Sequence, residues 1–250
     1  MVGEAMATAI VQARLGSTRL PGKVLKELVG RPLLWHVFDK LKYSKKIQRI
    51  ILATTTSVQD DQLEDFAQKN GISCFRGEEE DVLARFYGAA KHYKCTGIII
   101  RVSSDEPLID PNIVDRVIDA HLAQSNDYTS IGVANGFPLG LDTEAFNFAV
   151  LERAFNEASL AHEREHVTPY IYQHPDIFKI GSIEAEGKLK RPELRLTVDT
   201  EEDLRLIREI YASLYHPGRV FCTEDVIDLI DKRPELAAIN AHIKQKELGQ

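Results

Sequence analysis

Thiol chemistry is the first thing this chain lacks. Its three cysteines, Cys74, Cys95 and Cys222, are widely spaced and form no Cys-x-x-Cys pair. That excludes a disulfide framework and a thiolate metal site, and leaves them as small apolar core residues. Long apolar runs are also missing: no stretch approaches the roughly 20 residues that span a membrane. Residues 1–9 lack the basic start and apolar core of a secretion signal, so a soluble, cytoplasmic protein with no membrane partner is expected. Positive charge is in deficit, with 31 Lys and Arg against 38 Asp and Glu and a net charge of −7, which argues against a nucleic-acid polymer as partner.

The cations that are present are concentrated. Residues 1–50 hold ten Lys and Arg against three acids, a balance of +7 that leaves −14 for the rest of a chain at −7. Within that region an apolar run breaks into Gln12-Ala13-Arg14-Leu15-Gly16-Ser17-Thr18-Arg19-Leu20-Pro21-Gly22-Lys23. Arginine forks and a lysine point charge neutralise phosphate oxygens, hydroxyls add donors, and the glycines let the backbone turn tightly beside a ligand. The loop is therefore read as a polyphosphate cradle. It is not a Walker A loop, because five residues separate Gly16 from Gly22 and Val24 stands where the magnesium-holding hydroxyl belongs. There is no Gly-x-Gly-x-x-Gly either.

Apolar β-rich runs at 8–13, 49–54, 72–75 and 98–102 alternate with helical patterns at 32–41, 59–69, 81–92 and 111–123. This repetition predicts an α/β fold with a mostly parallel sheet flanked by helices. Ligands of such sheets lie beyond the carboxyl ends of the strands, where the loops after 13, 75 and 102 gather. Past Asp127 the pattern loosens, with helices at 148–158 and 163–174, and a last strand is expected at 194–198 before a helix opened by Thr200. One domain over 1–250 is expected, with 133–187 as a small inserted α+β subdomain covering the sheet.

Two acids stand at strand ends. Asp105 closes Ile98-Ile-Ile-Arg-Val-Ser-Ser-Asp105-Glu-Pro-Leu and Asp199 closes Arg195-Leu-Thr-Val-Asp199. Hard carboxylates there suit Mg²⁺ bridging the phosphates of a nucleoside triphosphate; the alternative is that Asp105 caps the turn, and Asp199 the helix, that follows. Asp81 and Arg85, spaced i, i+4, suit a structural ion pair.

The loop from Gln12 to Lys23 resembles the nucleotide-binding loop of the cytidylyltransferase family that contains the CMP-octulosonate and acylneuraminate synthetases, most closely its spore-coat polysaccharide branch. Asp105-Glu-Pro-Leu-Ile resembles the family's Asp-x-Pro-Leu motif, and Val198-Asp199-Thr-Glu-Glu-Asp203-Leu its Val-Asp-Thr-x-x-Asp-Leu motif. Arg76-Gly77-Glu-Glu-Glu-Asp81-Val-Leu-Ala-Arg85-Phe, Gly140-Leu-Asp142-Thr-Glu144-Ala-Phe and Glu163-Arg-Glu-His166-Val-Thr-Pro-Tyr look like three further blocks. The resemblance implies a Rossmann-like nucleotidyltransferase sheet of the GT-A type. It also implies Mg²⁺-dependent transfer of CMP from CTP to a hydroxyl of an acidic ulosonic-type sugar, with loss of pyrophosphate, for surface polysaccharide synthesis.

In that reading Arg14, Lys23 and Asp105 are catalytic, and Ala13, Arg14, Gly16, Ser17, Thr18, Arg19, Lys23, Arg76 and Ser103 bind the nucleotide. Asp105 and Asp199 hold the metal, while Asp142, Glu144, Glu163 and His166 read the acceptor. A homodimer through 133–187 is implied as well. The chain departs from the family at Ser103-Ser104, where octulosonate synthetases carry Gln-Gly, and at Pro138-Leu139, where the branch carries Pro-Asp. The rival readings are a sugar-1-phosphate nucleotidyltransferase using another base, a metal-dependent glycosyltransferase, and a nucleotide-sensing binding module that would need the loop but neither acid.

Overall fold

Period-two burial along the strands builds the molecule. In β1 (Ala7–Gln12), Ala9 and Val11 enter one core cluster and Ile10 the other, because successive side chains point to opposite faces. Each face of the sheet thus carries its own core. A computed structural model of the protein describes residues 7–245; residues 1–6, part of the segment read for a secretion signal, lie outside it.

After β1 come a short hairpin, β2 (Glu27–Leu28) and β3 (Arg31–Pro32), then α1 (Leu33–Leu41), β4 (Ile47–Thr55), α2 (Asp61–Lys69), β5 (Ser73–Gly77), α3 (Val82–His92), β6 (Ile98–Ser103) and α4 (Pro111–Gln124). The chain continues through β7 (Tyr128–Ile131), β8 (Thr143–Asn147), α5 (Phe148–Glu157), α6 (Ala161–His166), α7 (Pro169–Tyr172), β9 (Ile180–Ser182), α8 (Glu201–Leu214), α9 (Thr223–Lys232) and α10 (Glu235–Ala238). The seven-stranded sheet has the order β5-β4-β1-β6-β8-β7-β9. β5, β4, β1 and β6 run parallel, β8 runs antiparallel to both β6 and β7, and β9 is parallel to β7. Two caps fit their sequences. Asp110 accepts from Asn112 N at 2.9 Å with Pro111 at the first helical position, and Thr200 accepts from Asp203 N at 3.2 Å.

Residues 133–187, expected as a small inserted subdomain covering the sheet, supply strands to the sheet itself: β8 lies between β6 and β7, with β9 at the edge, and residues of α5 and α7 belong to the second core cluster. Two expectations are corrected. The helix expected over 163–174 is two short helices broken at Val167, which is fully buried with φ 72°. There Thr168 N donates to His166 O at 2.9 Å, a tight turn in a region that β-branched residues rarely adopt. The strand expected over 194–198 makes only a single parallel bridge, Leu139 with Arg195. Its backbone is used otherwise: Leu196 N donates to Leu139 O at 2.7 Å and Val198 N to Asp105 O at 2.9 Å. The apolar alternation of Leu194, Leu196 and Val198 marks a buried edge rather than a ladder.

Candidate active site

The loop after β1 is held from below. Its Leu15 N donates to Asp60 Oδ1 at 2.7 Å, and Asp60 is fully buried and also accepts from the Thr55 hydroxyl. Gly22 N closes the loop onto Leu15 O at 3.1 Å, with Gly22 itself at φ 66°, a conformation that glycine adopts without strain. This turn delivers Lys23 to the carboxyl edge of the sheet.

There the basic loop meets the two acids. Lys23 is 8% exposed, and its Nζ donates to Asp105 Oδ2 at 2.7 Å, Asp199 Oδ1 at 2.8 Å and Val198 O at 2.8 Å. Arg19 Nη2 lies 2.9 Å from Asp199 Oδ2, and Arg195 Nη2 donates to the same oxygen at 2.8 Å. Asp203 supports the group from behind, accepting from Asp199 N and Thr200 N at 3.0 Å each. Burial lowers the Lys23 pKa, but the two carboxylates outweigh it and the net shift is upward. Burial raises Asp199, and Lys23 and Arg19 reverse this to a net depression. Lys23 and Asp199 therefore each hold the other ionised.

A cavity of about 940 Å³ opens over this group, roomy enough for a nucleotide and a small acceptor. Of the residues expected in the site, Ala13, Arg14, Gly16, Ser17, Thr18, Arg19, Lys23, Ser103, Asp105, His166 and Asp199 all line it. Burial and the positive charge of Arg101 lower the His166 pKa, so the imidazole is neutral at pH 7.

Arg76, Asp142, Glu144 and Glu163 are not among the cavity-lining residues. Arg76 is engaged by protein groups outside the cavity lining. It donates to the carbonyls of Thr55 and Ser57 at 2.8 Å each and pairs with Asp61 at 2.7 Å and Glu64 at 2.8 Å, fastening β5 to the turn before α2. Glu163 accepts from Ser159 N and Leu160 N at 2.9 Å each and so caps α6. Glu144 is a buried hub that accepts from Arg101, from Tyr128 Oη at 2.5 Å and from Thr168 Oγ1 at 2.7 Å. Asp142 turns back to Gly140 N at 3.3 Å, its pKa raised to about 6 by burial. Nor do Asp81 and Arg85 pair: Asp81 caps α3 through Ala84 N at 2.8 Å and bonds Arg164 Nε at 2.9 Å.

Arg85 belongs to the cavity wall instead. It is 3% exposed, lines the cavity, and donates to Glu78 O at 2.5 Å and Glu79 O at 3.2 Å; burial and Arg14 lower its pKa to about 10. His162 and Glu165 also line the cavity. The signal for them was spacing, since His162, Glu165 and His166 at i, i+3 and i+4 share one helix face.

Asp105 and Asp199 are the residues that can hold a metal. Among the described residues no group of three or more His, Cys, Asp and Glu is assembled for that purpose. The two carboxylates and Val198 O do surround one cation, the Lys23 ammonium. Hard oxygens around a cation fit Mg²⁺, which usually binds through one or two carboxylates with phosphate and water oxygens completing the shell.

The chain is similar to several known proteins over most of its length. The cytidylyltransferase family model matches residues 8–229. The spore coat polysaccharide biosynthesis protein SpsF of Bacillus subtilis is 37% identical over 233 residues, 91% of this chain and 95% of that protein. The 3-deoxy-manno-octulosonate cytidylyltransferase of Aeromonas salmonicida is 33% identical over 142 residues, 55% of this chain and 53% of its own. The solved structure of a cytidylyltransferase from Leptospira borgpetersenii superposes with a TM-score of 0.87 at 31% identity, over 97% of this chain and 100% of that one.

Proposed function

Since this chain belongs to the cytidylyltransferase family and is a nucleotidyltransferase, we propose that it transfers CMP from CTP to a sugar hydroxyl. The acceptor is an acidic ulosonic-type sugar, the reaction depends on Mg²⁺, and the CMP-sugar serves surface polysaccharide synthesis. The observation that carries the reading is the meeting of Arg19 and Lys23 with Asp105 and Asp199 at one end of a single large cavity.

Nucleotidyl transfer needs alignment and charge neutralisation more than covalent help from the protein. Arg14, Ser17, Arg19 and Lys23 hold the triphosphate oxygens. The acceptor oxygen attacks the α-phosphorus, the bond to the bridging oxygen of pyrophosphate breaks with its electron pair going to the departing pyrophosphate, and the hydroxyl proton passes to solvent water. His166, neutral at pH 7, accepts a hydrogen bond from the acceptor. Asp105 and Asp199 would hold Mg²⁺, which when bound supplies a Lewis acid for the phosphate charge. Similarity to a 3-deoxy-manno-octulosonate cytidylyltransferase, 33% identical over 142 residues, supports the acidic sugar. The same reading makes the protein a homodimer, with exposed Val133 and Leu160 available to a second copy; light scattering at micromolar concentration checks this, and a monomer contradicts it.

The reaction is tested by incubating the protein with CTP, Mg²⁺ and a panel of ulosonic acids, with the products read by mass spectrometry. A CMP-sugar is expected. No product with any acceptor, together with no CTP binding, would contradict the proposal.

A further inference from the structure

Lys23 does more than wait for a phosphate. Among the described residues its ammonium is the one cation in contact with both strand-end acids: 2.7 Å from Asp105 Oδ2, 2.8 Å from Asp199 Oδ1 and 2.8 Å from the Val198 carbonyl. Three oxygens from two chain segments thus already enclose a positive charge. The neighbourhood is also balanced, with Lys23, Arg19 and Arg195 set against Asp105, Asp199 and Asp203.

We infer that Lys23 is the resident cation of the metal position in the nucleotide-free protein, and that a divalent ion enters only together with a triphosphate that takes the ammonium away. This rests on the reading of Asp105 and Asp199 as metal ligands. A divalent ion arriving alone must displace the ammonium from three oxygens. It would also add positive charge beside Arg19 and Arg195, whose contacts with Asp199 are 2.9 Å and 2.8 Å. In a largely buried site such excess charge is costly. A nucleoside triphosphate changes the balance, because it remains an anion with its metal bound and offers phosphate oxygens to Lys23 and Arg19. The long, flexible lysine stem, following the turn at Gly22, allows the ammonium to move while the loop stays closed on Leu15. Lysine therefore fits a role that arginine, with its planar fork, does not.

The consequence is a binding order: nucleotide and metal together tightly, metal alone only weakly. It is a coupling between two ligands of one site, for which factors of roughly 5 to 150 are usual.

Mn²⁺ is the probe, followed by water proton relaxation enhancement, which rises when the ion is immobilised on protein. Wild-type protein without nucleotide is expected to bind Mn²⁺ on the order of ten-fold or more weakly than Lys23→Met, whose two acids lack a cation. Addition of a non-hydrolysable CTP analogue should restore Mn²⁺ binding to the wild type. Mn²⁺ should likewise raise the melting temperature of Lys23→Met and leave that of the nucleotide-free wild type unchanged. Wild type that binds Mn²⁺ alone as tightly as it does with the analogue overturns the inference, and this comparison needs no variant. So does a folded Lys23→Met that binds none while wild type with the analogue does, an outcome that leaves the metal role of Asp105 and Asp199 standing. Wild type that immobilises no Mn²⁺ even with the analogue overturns both.

Discussion

Arg195 grips Asp203 with both arms of its fork: Nε lies 2.9 Å from Oδ1 and Nη2 3.1 Å from Oδ2. Asp203 is fully buried, closes the first turn of α8 and receives Asn240 Nδ2 at 2.8 Å. A segment that forms no strand ladder is thereby fixed tightly enough to present Asp199. Asp203→Ala leaves Arg195 without its bidentate partner and three backbone and side-chain donors unmet, so a loss of about 3–5 kcal/mol in chemical denaturation is expected. Burial raises the Asp203 pKa, but Arg195 and Asn240 more than reverse this and hold it low. The carboxylate therefore stabilises fully above the unfolded value near 3.9, and that stability is lost as pH falls through the lower folded value. The variant should lose correspondingly less on acidification.

His36 sets a second pH dependence, at milder acidity. It is 2% exposed, its Nε2 bonds Leu28 O at 2.8 Å, and burial brings its pKa down to about 4. The neutral ring is stabilising above the unfolded value near 6.5, and stability falls as pH drops from there to about 4. The shift corresponds to about 3 kcal/mol. His36→Gln keeps a donor for Leu28 without titrating. Its melting temperature should vary less between pH 6.5 and 4 than that of the wild type, and an unchanged slope contradicts the assignment.

Gly140 allows β8 and the 194–199 segment to come together. Its φ is +101°, and a Cβ there would lie 2.4 Å from Thr197 N and 2.6 Å from Leu196 C, both backbone atoms that cannot turn aside. Gly140→Ala should cost about 1–3 kcal/mol from backbone strain, with overpacking added. Because the displaced segment carries Asp199, CTP affinity should fall although residue 140 does not line the cavity. Calorimetry that finds affinity intact would separate the two.

Two arginines that look alike in sequence should behave oppositely. Arg19 lines the cavity and meets Asp199 at 2.9 Å, whereas Arg76 is saturated by two carbonyls and two carboxylates away from it. Arg19→Ala should weaken CTP binding roughly ten- to hundred-fold, the worth of one charge-assisted hydrogen bond. Arg76→Ala should leave CTP affinity within about two-fold and lower stability instead. Equal losses in both would contradict the placement of Arg76.

The contrast shows what was readable from the chain. Strand and helix alternation from Ala7 to Gln124 followed from local periodicity, and the cradle from residue types packed into one loop. Asp105 and Asp199 could be marked because each ends an apolar run. Whether Arg76 or Arg85 lines the cavity could not, since that depends on which groups of α2 and α3 come nearby. Glu144 and Glu163 read as acceptor groups for the same reason: their partners Tyr128, Thr168 and Ser159 meet them only after folding. The reversal at β8 was hidden because a buried strand carries no mark of its direction. The pairing of Lys23 with both acids joins residues 82 and 176 positions apart, beyond any periodic signal.

The most direct test of the account is acceptor-dependent pyrophosphate release, measured with Mg²⁺ and each of CTP, UTP, GTP and ATP in turn, in wild type and Asp105→Asn. Release from CTP that requires an acidic sugar and is lost in the variant is the expected result. Release that is equal or faster with another nucleotide, or that survives loss of Asp105, would contradict it.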